Sequence, residues 1–126
     1  RNGHMEVIMY LDLHAHSTRL GAFMYGNCFA KDEKRCERQL ALPFLFAEEA
    51  EDFSLDSTNL NTDSYKSGTG RRAMGGSLAT SCLCYTLQVS FAGYKSNRRG
   101  AKAPFVAYTA ELYQRIGQNL AKAILR

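Results

Sequence analysis

Hydrophobic and polar residues alternate most regularly between positions 82 and 91. The odd positions in this stretch are Leu83, Tyr85, Leu87, Val89 and Phe91. The even positions are Cys82, Cys84, Thr86, Gln88 and Ser90. Because successive side chains of a strand point to opposite faces of a sheet, the pattern predicts a strand with one apolar and one more polar face.

A second strand is predicted near the start of the chain, where an apolar run opens at Val7 and reaches Leu13. A short run that begins with β-branched residues and lacks glycine and proline is typical of a buried strand. Its last part carries Asp12, His14 and His16, which alternate with apolar residues and therefore point to one face. In an open α/β sheet the C-terminal ends of strands bind ligands, and a histidine there can ligate a metal. A hydrogen-bonded histidine pair without a metal is the alternative.

Two helices and one further strand complete the predicted elements. Ala22–Tyr25 is a short apolar strand that we expect to end in a turn at Gly26 and Asn27. Asp32 and Thr109 are placed to cap the two helices. The expected buried positions are Cys36, Leu40, Phe44 and Ala47 in the first helix, and Leu112, Ile116, Leu120 and Ile124 in the second.

The remaining segments carry residues that interrupt regular structure. Pro43 should kink the first helix or begin a second one, because proline lacks an amide donor and crowds the preceding turn. The polar segment Ser54–Gly76 predicts a long loop, and a loop of this length is usually functional or mobile. Gly93–Lys102 predicts a basic loop. The order of strand, strand, helix, long loop, strand and helix indicates an α/β unit.

The length of 126 residues allows at most one domain. No apolar run approaches the roughly 20 residues of a membrane span, so we expect no membrane association. Arg1–Met5 has the look of a cloning remnant, although it could equally be native sequence. The four cysteines lack Cys-x-x-Cys spacing, and we expect them to be reduced thiols. A four-cysteine zinc site is the alternative, but only the number of cysteines supports it.

The formal net charge of +4 is concentrated in the later chain, where no acidic residue occurs between Asp63 and Glu111. The basic residues of this part are Lys66, Arg71, Arg72, Lys95, Arg98, Arg99 and Lys102. Such a stretch indicates an anionic partner. Nucleic acid is not expected, because aromatic residues are not interleaved with the charges, whereas an acidic peptide fits. A solvated basic face without a specific partner is the alternative.

Four motifs occur in an order that resembles the zinc carboxypeptidases, specifically the cytosolic branch that trims glutamates from tubulin and other proteins. They are Asp12-Leu13-His14-Ala15-His16-Ser17, Phe23-Met24-Tyr25-Gly26-Asn27, Gly68-Thr69-Gly70-Arg71-Arg72 and Cys84-Tyr85-Thr86-Leu87. Each motif is weak alone, but the ordered set is specific. The polymerase-and-histidinol-phosphatase type of metal phosphoesterase shares the first motif, but its later metal motifs are not visible.

The resemblance implies the C-terminal half of a carboxypeptidase-like α/β/α sandwich with a mixed sheet. It implies a cytoplasmic, zinc-dependent hydrolase that removes C-terminal glutamates from acidic tails such as those of tubulin. His14 corresponds to a zinc ligand. We expect His16 either to orient a neighbouring ligand or to line the substrate pocket. The implied cationic partners of the terminal glutamate are Lys66, Arg71 and Arg72, of which Arg71 stands where the family has its arginine. We expect His14 and Gln88 to lie close together on neighbouring strands.

Two departures from the family pattern imply that this chain is inactive. No His-x-x-Glu motif precedes His14, so we expect residues 1–126 to be a fragment with an incomplete zinc site and an exposed sheet edge that favours self-association. Gln88 stands where the family pattern Tyr-Thr-Leu-Glu has its general base, and a neutral amide cannot take a proton from zinc-bound water. The alternative function is a non-catalytic module that binds acidic tails.

Overall fold

Six strands and three helices make up the part of the chain that the computed structural model describes, residues 3–28, 31–61, 70–78, 81–96 and 105–126. The strands are β1 (Met9–His16), β2 (Ala22–Asn27), β3 (Asn59–Asn61), β4 (Leu83–Ser90), β5 (Gly93–Lys95) and β6 (Phe105–Ala107). The helices are α1 (Glu33–Glu49), α2 (Gly70–Ser77) and α3 (Ala110–Leu125).

Strands β1 to β4 form one mixed sheet in the order β1-β4-β2-β3, and β5 pairs with β6 separately. The inner strand β4 runs parallel to β1 and antiparallel to β2, while β2 runs parallel to β3. The alternating stretch is therefore confirmed as a strand, and it lies between two neighbours within the sheet. The predicted α/β class with a mixed sheet is confirmed.

Helices α1 and α3 cover one face of this sheet. The β4 residues Tyr85 and Leu87 are buried there in one hydrophobic cluster with Phe46 of α1 and Ile116 of α3. Burial of a side chain of this kind contributes about 1.5–3 kcal/mol. The odd-numbered residues of β4 therefore form the apolar side that the alternation predicts.

Helix α2 covers the opposite face of the sheet. Gly70 begins this helix next to the Tyr10 hydroxyl, and a Cβ at Gly70 would collide with that hydroxyl, so glycine permits the close approach. The following residue, Arg71, has its guanidinium carbon 5.9 Å from the centroid of the Tyr25 ring. Helices thus flank both faces, and the predicted α/β/α layers are confirmed.

Helix α1 accommodates a proline in its interior. Pro43 lies within one continuous helix. Of the two predicted outcomes, a kink or a second helix, the second helix is therefore wrong. A proline at this position leaves the Gln39 carbonyl without its usual amide donor. The Tyr85 hydroxyl of β4 donates to that carbonyl at 2.9 Å and so replaces the missing hydrogen bond.

The buried face of α1 differs from the predicted one. Leu40 and Phe44 are 39% and 55% exposed, and the buried residues are Gln39, Leu42, Pro43 and Phe46. The hydrogen bond between Tyr85 and Gln39 holds that side of the helix against the sheet. Apolar spacing alone selected the wrong set because it ignored both the proline and the polar Gln39.

Both predicted helix caps are confirmed. Asp32 Oδ1 accepts a hydrogen bond from the Arg35 amide at 3.0 Å, and Thr109 Oγ1 accepts one from the Leu112 amide at 3.3 Å. Each cap satisfies an otherwise unpaired amide and typically contributes about 1 kcal/mol. The predicted stripe of α3 is buried in its middle, but Ile124 near its end is exposed.

The prediction of a buried first strand is only partly correct. Strand β1 begins at Met9, and Val7 and Ile8 before it are 50% and 70% exposed. Leu13 within the strand is 65% exposed. In the part of the chain that the structure describes, β1 is an edge strand with β4 as its partner. Met9 and Leu11 still pack against the hydrophobic cluster, so only part of the apolar run is exposed.

Regular structure extends into segments that the sequence predicted as turns or loops. Strand β2 continues through Gly26 and Asn27, where a Cβ on Gly26 would collide with Leu60 of β3, so glycine lets the two strands pair closely. Strand β3 and helix α2 lie within the predicted loop 54–76, and β5 lies within 93–102. Those loop predictions are wrong for these residues. Residues 62–69 and 97–102 lie outside the described part.

Candidate active site

The C-terminal ends of β1 and β4 bring two polar side chains together. The parallel register pairs His14 with Gln88 and His16 with Ser90. On the other side of β4, Phe23 of β2 is the partner of Gln88. The prediction that His14 and Gln88 lie close together on neighbouring strands is confirmed. We call the side of the sheet that carries the even-numbered residues of β1 and β4 the polar face.

His14 is oriented by an acidic neighbour on the polar face. Its Nε2 atom lies 3.0 Å from Asp12 Oδ2, and the His14 side chain is 51% exposed. A carboxylate at one ring nitrogen fixes the orientation and the tautomer of the imidazole and strengthens the other nitrogen as a ligand. The Nδ1 atom of His14 is therefore the one directed to an external partner, and solvent reaches the ring.

His16 is fixed by the turn that follows β1. Its Nδ1 atom accepts hydrogen bonds from the Thr18 and Arg19 amides, each at 3.1 Å. The ring contacts Phe23 edge-on, with centroids 5.3 Å apart. These contacts direct Nε2, the remaining nitrogen of His16, away from the turn. Its role as a pocket residue stays a prediction.

Gln88 lies between an exposed imidazole and a buried aromatic ring. Its neighbours in the register are His14, half exposed, and Phe23, which is 0% exposed. Within the described part of the chain, the Gln88 amide has no hydrogen-bond partner, and the residue is partly exposed. Its side chain can both donate and accept hydrogen bonds, but it has no basic group. The position can therefore orient a ligand and cannot serve as a carboxylate base.

Arg71 is buried against the end of β2. It is 1% exposed, and one guanidinium nitrogen donates to the Gly26 carbonyl and, at 2.9 Å, to Asn27 Oδ1. The Asn27 amide in turn donates to the Arg71 carbonyl at 3.1 Å. We call this set of contacts the Arg71 cradle. Sequence reasoning missed Asn27, which it assigned to a turn, although the residue stands in one of the four motifs.

Two predicted substrate-binding residues have side chains outside the described part of the structure. Lys66 lies outside the described residues. Arg72 belongs to α2 by its backbone, but its side chain is not described. Their roles, like that of Arg71, stay predictions.

The Cys84 thiol beside the Arg71 cradle is protonated near neutral pH. Burial, and then the proximity of Cys82, raise the pKa of Cys84 to about 12. Cys82 directly precedes β4, and its Sγ atom lies 4.0 Å from that of Cys84, so the two side chains lie on the same side of the chain, as predicted. A protonated, buried thiol is a poor metal ligand, because metals bind the thiolate.

The described side chains do not complete a zinc site. A catalytic zinc needs about three protein ligands and an open position for water. No group of three histidine, cysteine, aspartate or glutamate side chains suited to a metal occurs within the described residues. His14 fits the role of one ligand, since Asp12 orients its ring, but a single histidine does not make a site.

A cavity of about 450 Å³ lies apart from these residues. It is bordered by the end of α1, the segment after it and β5, and its acidic lining residues include Glu51 and Asp52. The Tyr108 hydroxyl donates to Asp52 Oδ2 at 2.8 Å. Burial, followed by this hydrogen bond, raises the pKa of Tyr108. None of the cavity's lining residues belongs to the polar face, so the cavity is not part of the candidate site.

Comparison with curated proteins identifies similar sequences. The chain is 48% identical over 116 residues to human "Cytosolic carboxypeptidase 6", covering 92% of this chain and 22% of that protein. It is 44% identical over 131 residues to "Cytosolic carboxypeptidase 6" of Caenorhabditis elegans, covering 98% of this chain and 28% of that protein. The chain thus spans between about a fifth and a third of the length of these relatives. No family model matches it.

Comparison with solved structures identifies the same fold. A metallo-carboxypeptidase from Burkholderia cenocepacia superposes with a TM-score of 0.69 at 19% identity, covering 93% of this chain and 29% of that one. A putative carboxypeptidase from Burkholderia mallei gives 0.66 at 16% identity, covering 92% of this chain and 30% of that one. The fold that the four motifs implied is therefore confirmed.

Proposed function

We propose that this chain, which is homologous to a segment of the cytosolic carboxypeptidases, carries part of a metallocarboxypeptidase site that accepts C-terminal glutamates of acidic protein tails. The observation that carries the proposal is the pairing of His14 with Gln88 across β1 and β4. It brings the implied zinc-ligand and general-base positions of the family together on one face. Tubulin tails are the substrate class that the resemblance implies.

In this proposal, His14 is one zinc ligand and Asp12 holds its ring in the ligating orientation. The interaction between His14 Nε2 and Asp12 supports this arrangement, since it leaves Nδ1 for the metal. The other ligands must come from outside the described residues. A bound zinc supplies an acidified water and polarises the scissile carbonyl.

Gln88 makes the chain inactive as a hydrolase in this proposal. The amide sits where the base would stand and holds a ligand by hydrogen bonds without removing a proton. Loss of a general base costs roughly 10²–10⁴ in rate. The same substitution also supports the second candidate function, a module that binds acidic tails without cutting them.

The cationic residues of the proposal are Lys66, Arg71 and Arg72, with His16 at the edge of the pocket. Arg71 supplies a fixed positive charge near Tyr25, because the Arg71 cradle holds its guanidinium in place. Arginine suits a carboxylate because its planar guanidinium carries several donors. An acidic tail is therefore attracted by charge that the fold has already positioned.

The cellular setting of the proposal is the cytoplasm, which the relatives' name "Cytosolic carboxypeptidase 6" supports. Within the described ranges, no helix is long and apolar enough to cross a membrane. Self-association through the outer edge of β1 is a further part of the proposal. It is supported by the 65% exposure of Leu13 on a strand whose described partner is β4 alone.

A chimeric enzyme tests the catalytic proposal. The matching 116-residue segment of human "Cytosolic carboxypeptidase 6" is replaced by this chain, with Gln88 and with Gln88→Glu. Release of glutamate from a glutamate-tailed peptide is measured, together with zinc content and peptide affinity. We expect Gln88→Glu to raise turnover by roughly 10²–10⁴, because it restores a base beside His14.

Gln118→Glu is the matched control, since it makes the same chemical change at an exposed position of α3. It should leave turnover unchanged. Equal turnover with Gln88 and Gln88→Glu in folded, zinc-loaded chimeras would show that Gln88 is not the general-base position. Peptide binding without turnover in both forms would favour the binding module.

A further inference from the structure

Two cysteines outside the candidate site are placed close enough to react with each other. Cys28 directly follows β2, and Cys36 lies in the first turn of α1, where its amide donates to the Asp32 carbonyl at 3.1 Å. Their Sγ atoms are 3.3 Å apart. A disulfide bond is about 2.05 Å long, so an approach of roughly 1.3 Å brings the sulfurs to bonding distance.

The two thiols are also accessible to small molecules. Cys28 and Cys36 are both partly exposed, whereas Cys82 and Cys84 are 1% and 0% exposed. Cys82 directly precedes β4 and Cys84 lies within it. Two residues of extended chain span roughly 6.7 Å between Cα atoms, which is at the long end of disulfide geometry. Burial also raises the pKa of Cys84 to about 12, which suppresses its thiolate. The chain thus contains one pair suited to oxidation and one protected pair.

We propose that Cys28 and Cys36 form a reversible thiol–disulfide modification site, oxidised by small-molecule disulfides such as oxidised glutathione. One protein thiolate attacks a sulfur of the oxidant, whose S–S bond breaks and releases one glutathione thiolate. The second protein thiolate then attacks the mixed disulfide and releases the other glutathione. The two protons lost by the cysteines are taken up by the two glutathione thiolates. The protein dithiol is oxidised, and the oxidant is reduced to two thiols.

This bond joins two segments that hold α2. Cys28 follows Asn27, which contacts Arg71 of α2 on both its oxygen and its nitrogen. Cys36 follows Arg35, whose guanidinium donates to the Gly75 carbonyl of α2 at 2.9 Å. Oxidation therefore links the two anchors of α2 covalently.

Peptide mapping after oxidation tests the site directly. The folded chain is equilibrated with glutathione at defined ratios of oxidised to reduced form, alkylated, and cleaved with trypsin. Because Lys31 and Lys34 separate the two cysteines, a Cys28–Cys36 disulfide yields two peptides joined through sulfur. We expect this joined species in the native chain and in Cys82→Ala, the matched control that removes a buried cysteine.

The variant Cys36→Ser distinguishes formation of an internal disulfide from reaction of a single exposed thiol with glutathione. We expect this variant to give a single glutathione adduct on Cys28 and no joined peptides. Oxidation of the native chain should raise Tm by roughly 10 °C, since the bond closes a loop of about nine residues in the unfolded state. Dithiothreitol should reverse the shift, and Cys36→Ser should show none.

Two results would overturn the proposal. One is a folded chain in which Cys28 and Cys36 stay alkylatable at high ratios of oxidised glutathione. The other is a Cys82–Cys84 disulfide that forms before any joined peptide of Cys28 and Cys36. Neither result depends on catalytic activity, so the redox proposal stands or falls separately from the carboxypeptidase proposal.

Discussion

The two faces of β4 have different surroundings. On one face, Tyr85 and Leu87 are buried under α1 and α3 in the hydrophobic cluster. On the other face, Gln88 lies between a half-exposed His14 and the buried Phe23. Adjacent residues of one strand thus differ in their surroundings: Leu87 is buried in the core, whereas Gln88 is partly exposed. The alternation along the strand separates a face that stabilises the fold from a face whose end is open to a ligand.

This comparison concerns the polar residues near the C-terminal ends of β1 and β4. Leu87 stabilises the fold through its burial, whereas nothing in the described packing requires Gln88 or His14 to be polar. Polar side chains that the fold does not need are candidates for function. The comparison predicts that substitutions on the two faces affect stability to very different extents.

The largest effect is expected from Leu87→Ala. The side chain is 2% exposed, so its truncation leaves a cavity under α3 and should lower the free energy of unfolding by about 2–5 kcal/mol. Urea denaturation followed by circular dichroism measures this change. Gln88→Ala on the neighbouring position is the control and should cost less than about 1 kcal/mol. Similar losses for the two variants would contradict the division of faces.

The next effect concerns the Arg71 cradle, which is polar and yet buried. Arg71→Met keeps much of the side-chain volume but leaves the Gly26 carbonyl and Asn27 Oδ1 without their charged donor. We expect a loss of about 2–4 kcal/mol, since unpaired buried acceptors are costly. Arg19→Met, at an exposed position, is the control for removing an arginine. A stable Arg71→Met variant would show that the fold does not depend on the Arg71 guanidinium.

The buried phenol of Tyr85 should make the free energy of unfolding depend on pH. Burial, and then the neighbouring Cys84, raise the pKa of the Tyr85 phenol above its usual value of about 10. Because the pKa of the phenol is higher in the folded state than in the unfolded state, the unfolded state loses its proton first as the pH rises. The stabilising contribution is therefore complete below about pH 10 and is lost as the pH rises further. We expect the free energy of unfolding to fall above about pH 10, and to fall less steeply in Tyr85→Phe. Parallel slopes for the two proteins would show that the phenol does not ionise on unfolding.

The smallest effect on stability is expected from His14→Ala. The side chain is 51% exposed and contacts Asp12 at the surface, so the change should alter the free energy of unfolding by less than about 0.5 kcal/mol. In the zinc-loaded chimera the same variant should lower metal content. A variant that unfolds readily but keeps its zinc would assign His14 to the fold instead of the metal site.

The sequence predicted these elements unevenly. The alternation at 83–90 was sufficient for β4, and the cap residues Asp32 and Thr109 marked both helix starts, because these signals are local. The buried face of α1 could not be predicted, since it depends on a hydrogen bond between Tyr85 and Gln39 that joins distant segments. Strand β3 and helix α2 were missed because a polar, glycine-rich composition concealed elements that tertiary packing stabilises.

The candidate site shows the same limit. The four motifs predicted that His14 and Gln88 lie on neighbouring strands, and the register of β1 and β4 confirms that they are close together. They did not predict the buried hydrogen bond between Arg71 and Asn27. Gly-Asn occurs both in turns and at the ends of strands, so the sequence alone could not show that Asn27 is the last residue of β2. Residue roles in catalysis stay predictions, since chemistry depends on partners beyond the described residues.

The parallel pairing of β1 with β4 also has a consequence for folding. His14 and Gln88 are separated by more than half of the chain, so their register depends on closing a long loop. Contacts of this kind slow folding, because the entropy of closure is lost before the pairing is complete. During synthesis, β1 leaves the ribosome long before its partner, so Met9 and Leu11 cannot pack against the hydrophobic cluster until β4 follows. The site is therefore among the last features of the sheet to assemble, and the early chain is the part that most needs protection from aggregation.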